Sequence, residues 1–210
     1  MSEKLIYDFV TLFVVLDPVG MLAIFLAISE NLAPNERRKT ALLGVLYAFG
    51  ILLFFIVAGE LLLIQMGIPL RAFQIAGGVL LLLYGIEMAI GANPPGVGQT
   101  GARADGGNLH ALAVYPLAVP AIAGPGAMLT AVLLTDNRLF GFSDQVLTSA
   151  ALGTVLALFL MTLLAANPII RLIGTGGANV LRRVMGILLT AIAVKMVLGA
   201  IQNWLKLPPL

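Results

Sequence analysis

Six long apolar stretches, separated by short polar or glycine-rich segments, constrain this chain more than any other feature. Each approaches or exceeds the roughly 20 residues with which an α-helix crosses a bilayer. Only 10% of the 210 residues are charged, whereas a soluble domain carries about 25%. We therefore predict an all-α integral membrane protein with six transmembrane helices, numbered spans 1 to 6, at about 5–28, 41–66, 70–91, 109–134, 146–166 and 184–204.

Basic residues are distributed unevenly between the predicted loops. One side of the membrane collects seven: Arg37, Arg38, Lys39, Arg103, Arg171, Arg182 and Arg183. The other side collects four: Lys4, Arg71, Arg138 and Lys206. Because the richer side is usually cytoplasmic, both termini are predicted outside. The glycine- and proline-rich linker 92–108 then lies in the cytoplasm and joins two units, 1–91 and 109–210.

The residue types argue against several functions. The chain has no cysteine, which removes disulfides and thiolate chemistry. A net charge of +2 is no signal for nucleic-acid binding. An intramembrane enzyme needs a nucleophile with a base, paired carboxylates or a metal site, and the chain offers one deep carboxylate, Asp17, and one interfacial histidine, His110. We predict no enzyme, no catalytic residue, no cofactor and no metal site.

Two related motifs interrupt the apolar stretches. DPVGML begins at Asp17 inside span 1, and GPGAML begins at Gly124 inside span 4. Proline lacks an N–H donor and clashes with the preceding helical turn. Asp17 is a preferred N-cap with Pro18 in the first helical position, and Gly124 with Pro125 repeats the pattern with a weaker cap. We predict that both spans are broken helices whose second halves begin near the bilayer midplane.

The two motifs align at an offset of 107 residues, and the third and sixth spans align at 108. The second alignment matches small residues spaced by seven: Gly78, Gly85 and Ala92 with Gly186, Ala193 and Ala200. This pattern predicts two inverted three-helix repeats, which are common in secondary transporters. Chance similarity between helices rich in alanine and leucine is the alternative, and small residues also serve simply for close helix packing.

The half-helix N-termini predict a substrate site. Each carries unpaired N–H groups and a partial positive charge that suit a carboxylate. The predicted binding residues are Asp17, Pro18, Val19, Gly20, Gly124, Pro125, Gly126 and Ala127. Asp17 could hold a substrate ammonium or a coupling proton, or could only cap its own half-helix. The breaks could also be packing kinks.

Three further polar residues are coupling or cavity candidates. Glu87 lies in the inner part of span 3, and Asn167 precedes a proline at the end of span 5. Lys195 lies near the centre of span 6, where it could snorkel or pair with Asp17 or Glu87.

Four stretches together resemble the MarC family of bacterial inner-membrane proteins, which is related to the LysE-type exporters. They are FVVLDPVGMLAIFLAI with the following ERRKTAL, FQIAGGVLLLLYGIEM, YPLAVPAIAGPGAMLTAVLL and LRRVMGILLTAIAVKMVLGAI. The resemblance covers nearly the whole chain and implies six transmembrane helices and transport of small neutral amino acids. Two residues depart from the family pattern: proline is common at the position of Ala23, and glutamine is common at the position of Lys195.

Together, the residues and the resemblance predict a secondary transporter of alanine, glycine or serine, coupled to a proton or sodium ion, in the bacterial cytoplasmic membrane. Its predicted partners are the amino acid, the coupling ion and the lipid bilayer, with no nucleic acid. An exporter of other small solutes or drugs, or a membrane protein that does not transport, are the alternatives. The direction of transport and the oligomeric state stay open.

Overall fold

The computed structural model describes residues 2–30, 32–91, 109–135 and 142–205, and no β-strand occurs among them. In chain order the elements are α1 (Ser2–Leu16), α2 (Met21–Ile28), α3 (Pro34–Gln65), α4 (Leu70–Ile90), α5 (Leu109–Leu112), a π-helical segment (Ala113–Ile122), α6 (Pro125–Leu133), α7 (Phe142–Leu164) and α8 (Ala166–Leu205). The predicted all-α class is confirmed, whereas the predicted linker 92–108 lies outside the described residues.

Several of these helices are long and apolar enough to cross a membrane. Within the described ranges, four qualify alone: Pro34–Gln65, Leu70–Ile90, Ser143–Leu164 and Asn179–Leu205. A fifth candidate is bent by 60° between Leu109–Ile122 and Pro125–Leu133. The remaining predicted span, 5–28, is divided between α1 and α2, whose 15 and 8 residues are each too few to cross alone.

Span 4 departs from regular helix earlier than the sequence predicted. The segment Ala113–Ile122 contains two prolines, and the residues before them, Tyr115 and Val119, have extended φ angles of −131° and −128°. The backbone N–H of Ala123 donates to the carbonyl of Ala118 at 2.8 Å, five residues back, which is a π-type bond. Proline favours an extended preceding residue, which explains the irregularity.

The long helix α3 shows how the chain separates lipid from protein contacts. Large side chains project outward at three- or four-residue steps along much of it: Leu42, Leu46, Phe54, Val57 and Leu61. Its buried face is rich in smaller residues: Ala41, Gly44, Val45, Ala48, Leu52, Ile56 and Gly59. Small residues allow helices to approach closely in a membrane, while the exposed large side chains are suited to lipid.

The predicted small-residue faces of α4 and α8 pack against each other. A Cβ added to Gly85 would lie 2.6 Å from Thr190 Oγ1 and 3.0 Å from the carbonyl oxygen of Gly186. A Cβ added to Gly78 would lie 3.3 Å from the carbonyl oxygen of Ala193. Because residue numbers rise on one helix as they fall on the other, the two helices are antiparallel.

The last helix, α8, changes direction near its start. Gly174 has φ 67° and ψ 169°, a backbone conformation that is essentially restricted to glycine. The apolar portion that follows, Asn179–Leu205, contains the predicted span 184–204.

Candidate functional site

The break in span 1 is a capped turn between α1 and α2. Asp17 has a φ of 46°, a left-handed conformation that aspartate tolerates better than most residues. Its Oδ1 accepts a hydrogen bond from the backbone N–H of Gly20 at 3.0 Å, and its carbonyl accepts one from Met21 at 3.2 Å. This bond resembles that of a helix N-cap, but α2 itself begins at Met21, with Gly20 in the preceding position. The predicted helix start at Pro18 is therefore a turn, and the helix begins three residues later.

The second oxygen of the Asp17 carboxylate, Oδ2, is buried without a hydrogen bond to any described residue. Asp17 is 2% exposed, and its Oδ2 has no hydrogen-bond partner among the described residues. A Cβ added to Gly20 would collide with Oδ2, so glycine makes room for the carboxylate over the turn. A buried acceptor without a partner costs about 1–3 kcal/mol, and more if it is charged. Oδ2 is therefore available to a proton or to a donor on a ligand.

The break in span 4 is the start of α6. Gly124 is extended, with φ −73° and ψ 170°, and Pro125 occupies the first helical position without a side-chain cap. The backbone N–H of Met128 donates to the carbonyl of Gly124 at 3.0 Å. The N–H groups of Gly126 and Ala127 come earlier in the helix and have no acceptor within it. This end of α6 presents two donors and the positive end of the helix dipole.

A cavity of about 290 Å³ lies between the two breaks. Its wall consists of Val15, Met21 and Ile24, of Leu80, Leu81 and Tyr84 on α4, and of Pro120, Ala121, Ile122, Gly124, Pro125, Gly126 and Ala127. Four of the eight predicted binding residues, those of the second break, therefore line it. The other four, Asp17, Pro18, Val19 and Gly20, lie in sequence between wall residues Val15 and Met21 but are not part of the wall.

Tyr84 supplies the one polar side chain in this wall, and the sequence prediction missed it. It interacts electrostatically with Asp17, Arg182 and Glu87, and Arg182 also acts on Asp17. The Oε2 of Glu87 is buried without a hydrogen-bond partner in the described part of the chain. The three-residue spacing of Tyr84 and Glu87, which puts them on neighbouring positions of a helix, was the available signal. Arg182, counted above only as a loop charge, belongs to this polar group.

The structure places the other two candidates elsewhere. Lys195 is exposed, and its ammonium lies 5.3 Å from the centroid of the Tyr7 ring, a cation–π distance. Asn167 lines a second cavity together with Arg37 and Arg38. Of the three coupling or cavity candidates, Glu87 alone lies near the 290 Å³ cavity.

A buried polar network near the start of α1 was also missed. Lys4 Nζ lies 2.6 Å from Asp8 Oδ2, and it donates to Thr148 Oγ1 at 2.9 Å and to the carbonyl of Leu134 at 3.1 Å. Thr148 Oγ1 lies 2.6 Å from Asp8 Oδ2, and Asp8 is 1% exposed. The network joins α1 to α7 and to the end of α6. The four-residue spacing of Lys4 and Asp8 was its sequence signal.

The chain is similar along nearly its whole length to known membrane proteins. The model of the MarC family of integral membrane proteins matches residues 2–205. UPF0056 membrane protein MJ1677 of Methanocaldococcus jannaschii is 36% identical over 201 residues, which cover 96% of this chain and 97% of the relative. UPF0056 inner membrane protein YhgN of Escherichia coli is 31% identical over 206 residues, covering 97% and 99%. No solved structure matches the chain.

Proposed function

The chain belongs to the MarC family of integral membrane proteins, and we propose that it is a secondary transporter of small neutral amino acids such as alanine, glycine or serine. The observation that carries the proposal is the cavity between the two helix breaks, beside a buried carboxylate with an unsatisfied oxygen. An ion gradient of protons or sodium drives the transport.

The substrate carboxylate binds at the start of α6. The N–H groups of Gly126 and Ala127 and the helix dipole attract an anion there, and both residues line the cavity. The corresponding turn of span 1, Pro18 to Gly20, contributes the second partial positive charge. Paired half-helix ends near the midplane are a known way for transporters to hold a carboxylate.

Asp17 contacts the amino group of the substrate or carries the coupling proton. Its Oδ1 is engaged by Gly20, so Oδ2 is the atom that takes this role. A carboxylate that only capped its helix would leave Oδ2 without a partner at a depth where charge is expensive.

The size and chemistry of the cavity support a small, mostly apolar substrate. About 290 Å³ lies at the lower end of the volumes of ligand pockets. Tyr84 is the only polar side chain of the wall, so the cavity offers little to a charged substrate side chain. A short apolar or hydroxyl-bearing side chain fits best.

Transport proceeds by alternating access between two inverted three-helix repeats, 1–91 and 109–210, which together make six spans. At the offset of 108, Gly78 corresponds to Gly186 and Gly85 to Ala193. In the α4–α8 interface Gly78 contacts Ala193 and Gly85 contacts Gly186. The repeat offset therefore converts one of these contacts into the other. Two units related by a two-fold axis are expected to show such paired contacts, which supports the repeat. Rocking of one unit against the other would then expose the cavity alternately to each side.

The protein lies in the inner (cytoplasmic) membrane with both termini outside. The E. coli relative is described as an inner membrane protein, and the excess of basic loop residues supports the orientation. In this orientation the network of Lys4, Asp8 and Thr148 closes the outer end of the bundle.

Uptake of labelled alanine and glycine into proteoliposomes, with an imposed pH or sodium gradient, tests the proposal. We expect saturable, gradient-dependent uptake that Asp17→Asn uncouples or abolishes, while Glu30→Gln, which removes an exposed carboxylate outside the cavity, leaves uptake unchanged. Correctly folded wild type that moves no amino acid in either direction would refute the proposal. Flux of another small solute that excess alanine does not inhibit would identify an exporter of other solutes or drugs instead.

A further inference from the structure

A second cavity, of about 220 Å³, lies where α2 and α7 end and α3 and α8 begin. It is lined by Phe25, Leu32, Pro34, Arg37, Arg38, Leu163, Leu164 and Asn167. None of these residues lines the 290 Å³ cavity. The positive-inside rule assigns this end of the bundle to the cytoplasm.

The cavity combines two chemistries at one membrane depth. Leu163 and Leu164 are the last residues of the apolar helix Ser143–Leu164, and Leu164 is half exposed, so its side chain can contact lipid. Asn167 follows within one turn. The cavity therefore lies where hydrocarbon gives way to the headgroup region, with apolar side chains on one side of that boundary and polar ones on the other.

The two arginines lie near the start of a helix, an end that favours an anion. Arg37 and Arg38 lie in the opening turns of α3, where the helix dipole is positive and repels cations. Glu36, the acidic residue of that turn, is engaged with the backbone N–H of Ala33 at 3.0 Å. The local carboxylate is thus already committed to capping the helix.

The guanidinium of Arg37 is only partly satisfied by the protein. One Nη2 hydrogen bond goes to the carbonyl of Ser29 at 2.8 Å, and Nε is buried with no partner in the described ranges. A guanidinium carries five N–H donors in a planar fork that matches a phosphate. The bond to Ser29 therefore holds Arg37 at the cavity, while its Nε–H is available to a ligand.

We propose that this cavity binds the phosphate of an anionic phospholipid headgroup. Arg37 and Arg38 neutralise the phosphate, Asn167 donates a hydrogen bond, and Leu164 and Phe25 contact the glycerol and the first acyl carbons. Basic pockets on the cytoplasmic side of membrane helices suit such headgroups. A free phosphate would satisfy the arginines equally well but would make no use of the apolar wall that faces lipid. The site depends on membrane insertion and is independent of any transport activity.

Thermal unfolding of the purified full chain in detergent tests this site with three probes: phosphatidylglycerol, phosphatidylcholine and inorganic phosphate. A ligand that binds the folded state raises Tm by an amount that grows with the ratio of its concentration to its Kd. We expect phosphatidylglycerol to raise Tm and the other two to have little effect. Arg37→Gln with Arg38→Gln should weaken the apparent affinity for phosphatidylglycerol about tenfold or more, because both charge-assisted contacts to the phosphate are lost.

The matched control removes two basic residues at the same end of the bundle but outside the cavity, Lys39→Gln with Arg171→Gln. It should keep the full shift. An equal loss in the control would mean diffuse attraction to anionic lipid, and an equal shift with inorganic phosphate would mean a soluble-anion site. Either result, or no difference between the two lipids, would overturn the proposal. Arg37 also binds the carbonyl of Ser29, so the double variant could fail to fold. In that case the single variants Arg38→Gln and Asn167→Ala replace it, provided that each has the wild-type Tm without lipid. Each should then show a smaller Tm shift with phosphatidylglycerol than the wild type.

Discussion

Asp17 and Gly20 form a pair in which each residue depends on the other. The N–H of Gly20 donates to Oδ1 of Asp17 at 3.0 Å, and the missing side chain of Gly20 leaves the space that Oδ2 occupies. The turn therefore holds a carboxylate in the membrane with one oxygen bound and one available. This pair defines the first and most local prediction.

Gly20→Ala should impair transport without unfolding the protein. The φ of −61° and ψ of −29° at Gly20 suit alanine, so the backbone tolerates the change, but the new Cβ displaces Oδ2. We expect amino acid uptake to fall about tenfold, the effect of losing about 1.4 kcal/mol of binding, while overpacking at the turn lowers Tm without unfolding the protein. Gly50→Ala is the control, because nothing lies within 4 Å of its new Cβ. Normal uptake by Gly20→Ala would separate Oδ2 from the transport site.

Tyr84→Phe should weaken substrate binding and leave the cavity intact. The ring volume is kept and only the hydroxyl is removed, at a cost of about 0.5–1.5 kcal/mol if it binds the substrate. The KM for alanine uptake should rise several-fold. Tyr47→Phe is the control and should leave the KM unchanged. The hydroxyl of Tyr47 lies 2.9 Å from His110 Nδ1, and neither residue lines the cavity. A KM unaffected by Tyr84→Phe would place the substrate elsewhere.

Gly85→Ala and Gly186→Ala should each destabilise the protein. The added methyl group at Gly85 meets Thr190, and that at Gly186 would lie 2.6 Å from the backbone nitrogen of Ala89 and 2.8 Å from the carbonyl oxygen of Gly85. Overpacking costs about 1–3 kcal/mol per site. Because the two glycines touch, the double variant should deviate from the sum of the singles.

Thermal unfolding in detergent measures the three α4–α8 variants against Gly176→Ala, which faces open space. Strictly additive and small effects would argue that these helices do not pack through this face.

Lys4→Met should destabilise the protein more than the double variant Lys4→Met with Asp8→Leu. The single change leaves the carboxylate of Asp8, which is 1% exposed, without its cation, and breaking a buried pair costs about 3–5 kcal/mol. Replacing both partners by apolar residues removes the uncompensated charge. Equal unfolding temperatures for the two variants would show that the uncompensated carboxylate of Asp8 carries no penalty.

The orientation can be tested directly because the chain has no cysteine of its own. In intact cells, a membrane-impermeant maleimide should label Gln65→Cys, which lies at the outer end of α3 in the proposed orientation. It should label Asn35→Cys only after permeabilisation. The reverse pattern would place both termini inside. Both residues are exposed in the structure, so accessibility to the reagent is not limited by burial.

The helix breaks were predictable because their causes are local. A proline removes a donor and an adjacent aspartate or glycine starts a new helix, and both effects act within a few residues. Tyr84 and Arg182 were not predictable as parts of one polar group, since they approach Asp17 from α4 and α8, far away in the chain. The roles of Lys195 and Asn167 also depended on distant neighbours, Tyr7 and the arginines of α3.

Apolar content, span lengths, broken helices and small-residue faces came from the sequence alone, because lipid as a solvent demands long apolar helices and close packing demands small residues at regular spacing. The tertiary structure decided which side of a helix such as α3 faces protein, since α3 is apolar along most of its length and its apolar residues do not single out one face. It also decided which buried charges have partners. Asp8 is matched by Lys4 and Thr148, whereas Asp17 keeps an unsatisfied oxygen near a cavity, because pairing depends on which helices meet at that depth.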